Sequence, residues 1–232
     1  MARNDLVSVI KMKTLQPRKY LLDSNIYGEM VVDIEIELLK EDYEKCRNVM
    51  LIYGIKEIIR KELRATPKDT KVGVRKLRSN LLGLYDIFAG EHELSVTEEH
   101  KHLANEYFKS YIKFGGSKSK NEMFNDLVVV ACASSKGMDV VVSEDEKTML
   151  TENALKAYKF INRANKKTNP RFIGYKAFKS ELRSCLSDKF VSSSNKFWVS
   201  LVFLNLFYKL IKVRFFPFHK RMKINPSIKN FR

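Results

Sequence analysis

The feature that most constrains this chain is the stretch 125–149, NDLVVVACASSKGMDVVVSEDEKTM. It opens near Asp126, runs through small and apolar residues to Ala133, and breaks at Lys136 and Gly137. A short run from Met138 to Val142 follows, apolar except for Asp139, and stops at Ser143, Glu144, Asp145 and Glu146. The pattern predicts a helix with an acid in its first turn, a glycine stop, and a buried strand whose carboxyl end delivers acids and a hydroxyl into a loop. In open parallel sheets, ligands bind just beyond the carboxyl ends of the strands. A strand that ends in acids at that edge suits a metal ion.

A second strand of the same kind lies near the amino end. Residues 19–25, KYLLDSN, form a short apolar run that ends in Asp23, followed by Ser24 and Asn25. If the two strands are parallel neighbours, Asp23 and Asp145 leave the sheet on one edge. Carboxylate oxygens from two strand ends and one helix suit the hard cations Mg²⁺ and Mn²⁺. Asn25 and Ser143 are placed to act as neutral ligands or to orient ligand waters, or simply to hold turns.

Between these landmarks the chain alternates. Residues 26–45 read mainly as helix, with 30–36 β-branched enough to leave a strand open. Residues 49–53 read as a buried strand with Gly54 as its turn, and 55–64 as an amphipathic helix ended by Thr66 and Pro67. A helix over 71–88 would carry Lys71, Arg75, Lys76 and Arg78 on a basic side, and 93–96 reads as a short strand. A helix from Thr97 to about residue 113 leads into the basic loop 115–120, which holds Lys118 and Lys120. A helix over 147–162 and one last element over 173–183 complete the pass. Strands alternating with helices argue an α/β fold with a parallel sheet. His100 and His102 fall about 200° apart on their helix, so they are expected to face solvent rather than share a metal. No nucleophile–histidine arrangement, P-loop or dinucleotide fingerprint is present, so acyl transfer and nucleotide hydrolysis find no support.

With those residues located, the chain resembles the PIN-domain family of metal-dependent ribonucleases, its archaeal members especially. The resemblance covers roughly residues 15–185 and rests on four acids in order: Asp23 in LLDSN, Glu62 in RKELR, Asp126 before the Ala-rich helix, and Asp145 in VVVSED. It implies a three-layer α/β/α fold with a central parallel sheet. It also implies that Asp23, Glu62, Asp126 and Asp145 form the catalytic set, with Asp23, Asp126 and Asp145 on one or two Mg²⁺ or Mn²⁺ that activate water for hydrolysis of RNA phosphodiester bonds. Many family members are toxins of toxin–antitoxin pairs, so an antitoxin or other protein partner is a further expectation, beside a role in RNA processing. Glu57 competes with Glu62 as the second acid. The two are about 140° apart on a helix and cannot both point inward, and Glu62 matches the family's Glu-Leu pair. Lys71, Arg75, Arg78, Lys118 and Lys120 are the residues expected to hold RNA phosphates. The alternative function is a PIN-like module that binds nucleic acid or protein without cleaving.

Charge separates the carboxyl end from the rest. The net charge is +16, but residues 1–188 hold 33 basic against 27 acidic residues, and beyond Asp188 there are ten Lys or Arg and no acid. A basic chain implies a polyanionic partner, nucleic acid or anionic membrane. The division expected is a PIN-like nuclease domain over 1–185 and a basic, apolar extension over 186–232. Within that extension 197–208, FWVSLVFLNLFY, is shorter than the ~20 apolar residues a spanning helix needs. It suits core or homodimer packing, a basic amphipathic helix on a membrane surface, or an RNA contact. The three cysteines are widely spaced with no C-x-x-C pair, which suits reduced thiols in a cytoplasmic protein, peripheral at a membrane if the tail binds one.

Overall fold

The computed structural model of the protein describes residues 16–192. Compactness divides the chain into two units, Met1–Lys189 and Phe190–Arg232. The fold set out here is that of the first, and the apolar run 197–208 with the basic residues after it lies outside the described residues.

Strand β1 (Arg18–Leu22) leads into α1 (Ser24–Val32), α2 (Ile34–Leu39) and a 3-10 turn, Lys40–Cys46. Strand β2 (Met50–Ile55) follows, then a π-helical turn (Lys56–Arg60) that runs into α3 (Lys61–Ala65). A two-stranded ribbon, β3 (Lys71–Val72) and β4 (Arg75–Lys76), precedes α4 (Leu77–Phe88) and β5 (Glu93–Leu94). The second half comprises α5 (Glu98–Lys113), α6 (Lys120–Ser135), β6 (Val140–Val142), α7 (Glu152–Ala164), β7 (Arg171–Ile173) and α8 (Tyr175–Ser192).

Five strands form one parallel sheet in the order β5-β2-β1-β6-β7. Leu21, Leu22 and all of β6 are buried, so the central strands are apolar on both faces. A parallel sheet covered on both sides by helices requires that. The helices pack in two groups, α1 with α2 and α4, and α5 with α6 and α7, which makes the fold a three-layer α/β/α sandwich as expected. From β1 the chain first builds outward to β2 and β5, then returns to the other side of β1 with β6 and β7. The strand order therefore reverses between β1 and β6, and crevices of this kind hold the ligands of open α/β sheets.

Several local expectations are corrected. Asp126 does not lie in the first turn of its helix. Ser119 caps α6 and its backbone N–H donates to Glu122 Oε2 at 2.9 Å, so this capping box starts the helix at Lys120 and puts Asp126 well inside it. Gly54 is no turn residue but part of β2, where a Cβ would meet the Tyr85 ring and hydroxyl at 2.5–2.7 Å. The expected helix over 71–88 begins only at Leu77, because Gly73 adopts φ +60° and reverses the chain into the ribbon. The helix after Asp145 starts late, at Glu152, capped by the Thr151 side chain. Residues 171–173 form a strand that the sequence reading missed, paired along β6 from Arg171 to Ile173. His100 is buried rather than solvent-facing, since its Nδ1 accepts the Thr97 N–H at 3.1 Å and completes the cap of α5. Burial, aided by the charge of Lys136, holds its pKa below the usual imidazole range.

Two polar clusters tie the layers together. Asn162 on α7 is wholly buried; its Oδ1 accepts from the Tyr107 hydroxyl on α5, while its Nδ2 donates to Ser134 Oγ on α6 and to Asn169 Oδ1, each at 3.0 Å. Asp33, between α1 and α2, accepts from the Glu35 N–H at 2.9 Å, the Tyr175 hydroxyl at 2.8 Å and Lys179 Nζ at 2.6 Å, fastening α8 to the start of α2.

Candidate active site

The strand ends set the site. Asp23 follows β1 directly, its N–H donating to Val142 O of β6 at 2.9 Å, and its Oδ1 accepts the Ser24 N–H at 2.7 Å as the cap of α1. The other oxygen, Oδ2, accepts from Ser143 Oγ at 2.7 Å and Asn25 Nδ2 at 2.8 Å. Ser143 thus donates to Asp23 while accepting from Asn25 Nδ2 at 3.2 Å and from the Asp145 N–H at 3.1 Å. This one hydroxyl joins the ends of β1 and β6. Asn25 and Ser143 act here as orienters of Asp23, and each also holds its turn.

Asp145 sits in the turn after β6, its Oδ1 accepting the N–H groups of Lys147 at 2.9 Å and Thr148 at 3.1 Å. Its neighbour Glu144 turns elsewhere and accepts the Tyr175 N–H at 2.6 Å at the start of α8. Asp126 reaches the same turn from α6, for the Thr148 hydroxyl contacts Oδ2 of both Asp126 and Asp145. Thr148 is the residue sequence reasoning missed, having been read as part of a helix. Thr151 followed by Glu152 is the N-cap signature that would have moved the helix start and left Thr148 in the turn.

Electrostatics follow from this crowding. Burial pushes Asp126 up to about 7; the Thr148 hydroxyl opposes this, and the charges of Asp23, Asp145 and Glu62 add to it. Burial also raises Asp23 above the usual carboxylate range, against the hydrogen bonds from Ser143 and Ser24 and with the charges of Glu62 and Asp145. Asp145 moves the other way. Burial pulls it upward, but the Thr148 hydroxyl and the backbone N–H groups of its turn outweigh that and lower it. A threonine hydroxyl has one hydrogen and here touches two carboxyls, so one contact needs a proton on the acid side. Asp126 is the acid suited to carry it.

Glu62 on α3 is near enough for its charge to act on both Asp23 and Asp126, and its Oε1 accepts from Asn125 Nδ2 at 3.1 Å. Glu57 lies apart, accepting the Val96 N–H at 3.4 Å. The structure thus gathers Asp23, Asp126 and Asp145, with Glu62 at the margin. Among the described residues, no three acidic, His or Cys side chains stand as a ready-made ligand cage for a metal ion. The carboxyls are closed on the hydroxyls of Ser143 and Thr148 instead.

The expected phosphate-holding residues are scattered. Lys71 is exposed on the ribbon, Arg75 pairs with Glu37 at 2.8 Å, and Arg78 Nε donates to Thr66 O at 2.5 Å. Lys118 pairs with Glu122 at 3.6 Å, and Lys120 lies 5.1 Å from the centre of the Phe124 ring. No helix among the described residues is long and apolar enough to cross a membrane.

No protein-family model matches the chain, and no curated protein matches it. Solved structures do match, among them the crystal structure of VapBC2 from Rickettsia felis bound to a DNA fragment from their promoter. That likeness, at 13% identity and a TM-score of 0.44, covers 67% of this chain and 98% of the other. It carries no weight for the chemistry of the site, which stands on the residues above.

Proposed function

We propose that the protein is a metal-dependent endoribonuclease that hydrolyses RNA phosphodiester bonds with Asp23, Glu62, Asp126 and Asp145. The observation that carries this reading is the meeting of Asp23, Asp126 and Asp145, from three separate elements, around two hydroxyls at the sheet's point of strand reversal. A fold gains no stability from crowding carboxyls where burial lifts Asp126 to about 7 and the charges of Asp23, Asp145 and Glu62 add to it. A divalent cation offsets such crowding. The donors fit Mg²⁺ or Mn²⁺ in their chemistry, being hard carboxylate oxygens, with Asp23, Asp126 and Asp145 as the holders and Glu62 beside them.

Held by Asp23, Asp126 and Asp145, a divalent cation would lower the pKa of water and offset charge at the phosphate. This chain's own residues do the positioning. Ser143 and Asn25 fix the Asp23 carboxylate, Thr148 holds Asp126 and Asp145 to one turn, and Asn125 steadies Glu62. A second reading, a module that binds nucleic acid or protein without cutting, draws on the way the Ser143 and Thr148 hydroxyls engage the carboxyls.

Incubation of the full chain with single-stranded RNA and Mn²⁺, with and without chelator, separates the two. The nuclease reading expects cleavage that chelator abolishes, and an Asp126→Asn variant that folds, binds Mn²⁺ more weakly and does not cut. Cleavage by that variant at the wild-type rate would remove Asp126 from the mechanism. Metal-independent binding with no cleavage would leave the binding module.

A further inference from the structure

Resting on the nuclease reading, we infer that the ribbon β3–β4 is an RNA-holding arm, whose outward pair Lys71 and Lys76 grips the phosphates of a single strand. The ribbon pairs Lys71 with Lys76 and Val72 with Arg75, closed by Gly73 and Val74. Residues paired across an antiparallel ribbon project to the same face, and the next pair projects to the other. The face holding Arg75 is turned toward α2, since Arg75 Nη1 lies 2.8 Å from Glu37. Lys71 and Lys76 therefore share the opposite face, both exposed, with no ion pair to either among the described residues.

Like charges set directly across a ribbon are destabilising, so a lysine pair here weakens the element that carries it. The segment 67–78 has five Lys or Arg against one acid, Asp69, so local charge does not relieve the pair. The ribbon is nonetheless held at its base, where Leu77 N donates to Thr70 O at 2.9 Å and Arg78 Nε to Thr66 O. Its tip stands clear of the body, with Val74 96% exposed. A fixed, projecting element with an unmatched pair of cations matches what an anionic strand needs.

Its place in the fold points to the same use. The chain leaves the carboxyl end of β2 through the π-helical turn and α3, which carries Glu62. Because β5 runs parallel to β2, the chain must travel back along the sheet between them, and α4 makes that return. The amino end of α4, and the ribbon that leads into it, therefore lie at the carboxyl edge of the sheet. Asp23 and Asp145 lie on that edge too. An RNA strand lying on Lys71 and Lys76 thus approaches the acidic crevice from the Glu62 side.

The test is binding of a short fluorescein-labelled oligouridine to the full chain in chelator, where nothing is cut, as a function of salt. The double variant Lys71→Ala/Lys76→Ala is expected to bind about tenfold more weakly and to lose about 1.4 from the slope of log affinity against log salt, two single-strand phosphate contacts' worth. Lys71→Arg/Lys76→Arg should keep both values. Lys109→Ala/Lys113→Ala, removing equal charge from α5, should keep the slope. An unchanged slope in the ribbon variant, or an equal drop in the α5 variant, overturns the inference. So does a loss confined to double-stranded DNA or to anionic vesicles. Cleavage assayed separately with Mn²⁺ keeps the two ideas apart. A wild type that cuts while the ribbon variant binds normally sinks only the arm, and ribbon-dependent binding without any cutting sinks only the nuclease.

Discussion

At the scale of single residues, Asp126 decides how the site behaves. Its folded pKa of about 7 lies above the ordinary carboxyl value of 3.8. Between those two values the folded protein holds a proton that the unfolded chain has released, so this group's contribution to stability falls as pH rises through that window. Asp126→Asn, which stays neutral, should match the wild type near pH 4 and exceed it above pH 7, by about 4 kcal/mol at most. Thermal melts of both proteins in chelator across pH 4–8 read the difference. Taking the difference also removes the opposite slope of His100, whose depressed pKa adds stability as pH rises through the imidazole range. A gap that does not widen with pH would mean that Asp126 is not crowded as described.

At the scale of elements, β2 shows how close packing dictates a residue. The Gly54 α-carbon lies against Tyr85 of α4, so Gly54→Ala forces the ring to move and should cost roughly 1–3 kcal/mol, measured by urea unfolding. Reading Gly54 as a turn is the natural error, because a glycine after an apolar run marks a turn unless a neighbour needs the space. The same limit explains what else was legible. Strands β1 and β6 can be read because burial on both faces makes them continuous apolar runs that end abruptly in acids. Strand β7 has three residues and too little pattern to stand out, and the ribbon depends on one glycine's φ in a stretch rich enough in Lys, Arg and Leu to pass for helix. Of the site, Asp23, Asp126 and Asp145 were readable as acids at strand ends or on a helix. Thr148 was not, because its role comes from a turn that Asp145 itself holds.

At the scale of the molecule, α8 closes the fold by returning to its beginning. Asp33 is the knot, since it caps α2 and accepts from both Tyr175 and Lys179 with its side chain only 16% exposed. Asp33→Ala strands the Tyr175 hydroxyl, leaves Lys179 only its 3.3 Å pair with Glu35 and should cost about 2 kcal/mol, whereas Arg183→Ala, which gives up an exposed pair with Glu35, should cost under about 1 kcal/mol. Chemical denaturation of the two variants side by side tests the ranking, and equal losses would show that α8 is held by its apolar face instead.

The buried amide of Asn162 has a consequence for how the molecule comes apart. Its partners belong to α5, to α6 and to the lead-in of β7, and it sits wholly buried on α7, where bulk solvent does not reach to replace any one of them. None of these segments can peel away without stranding a polar group for the rest. That whole side of the sheet should therefore open in one event, and its amides should exchange with solvent at a common rate.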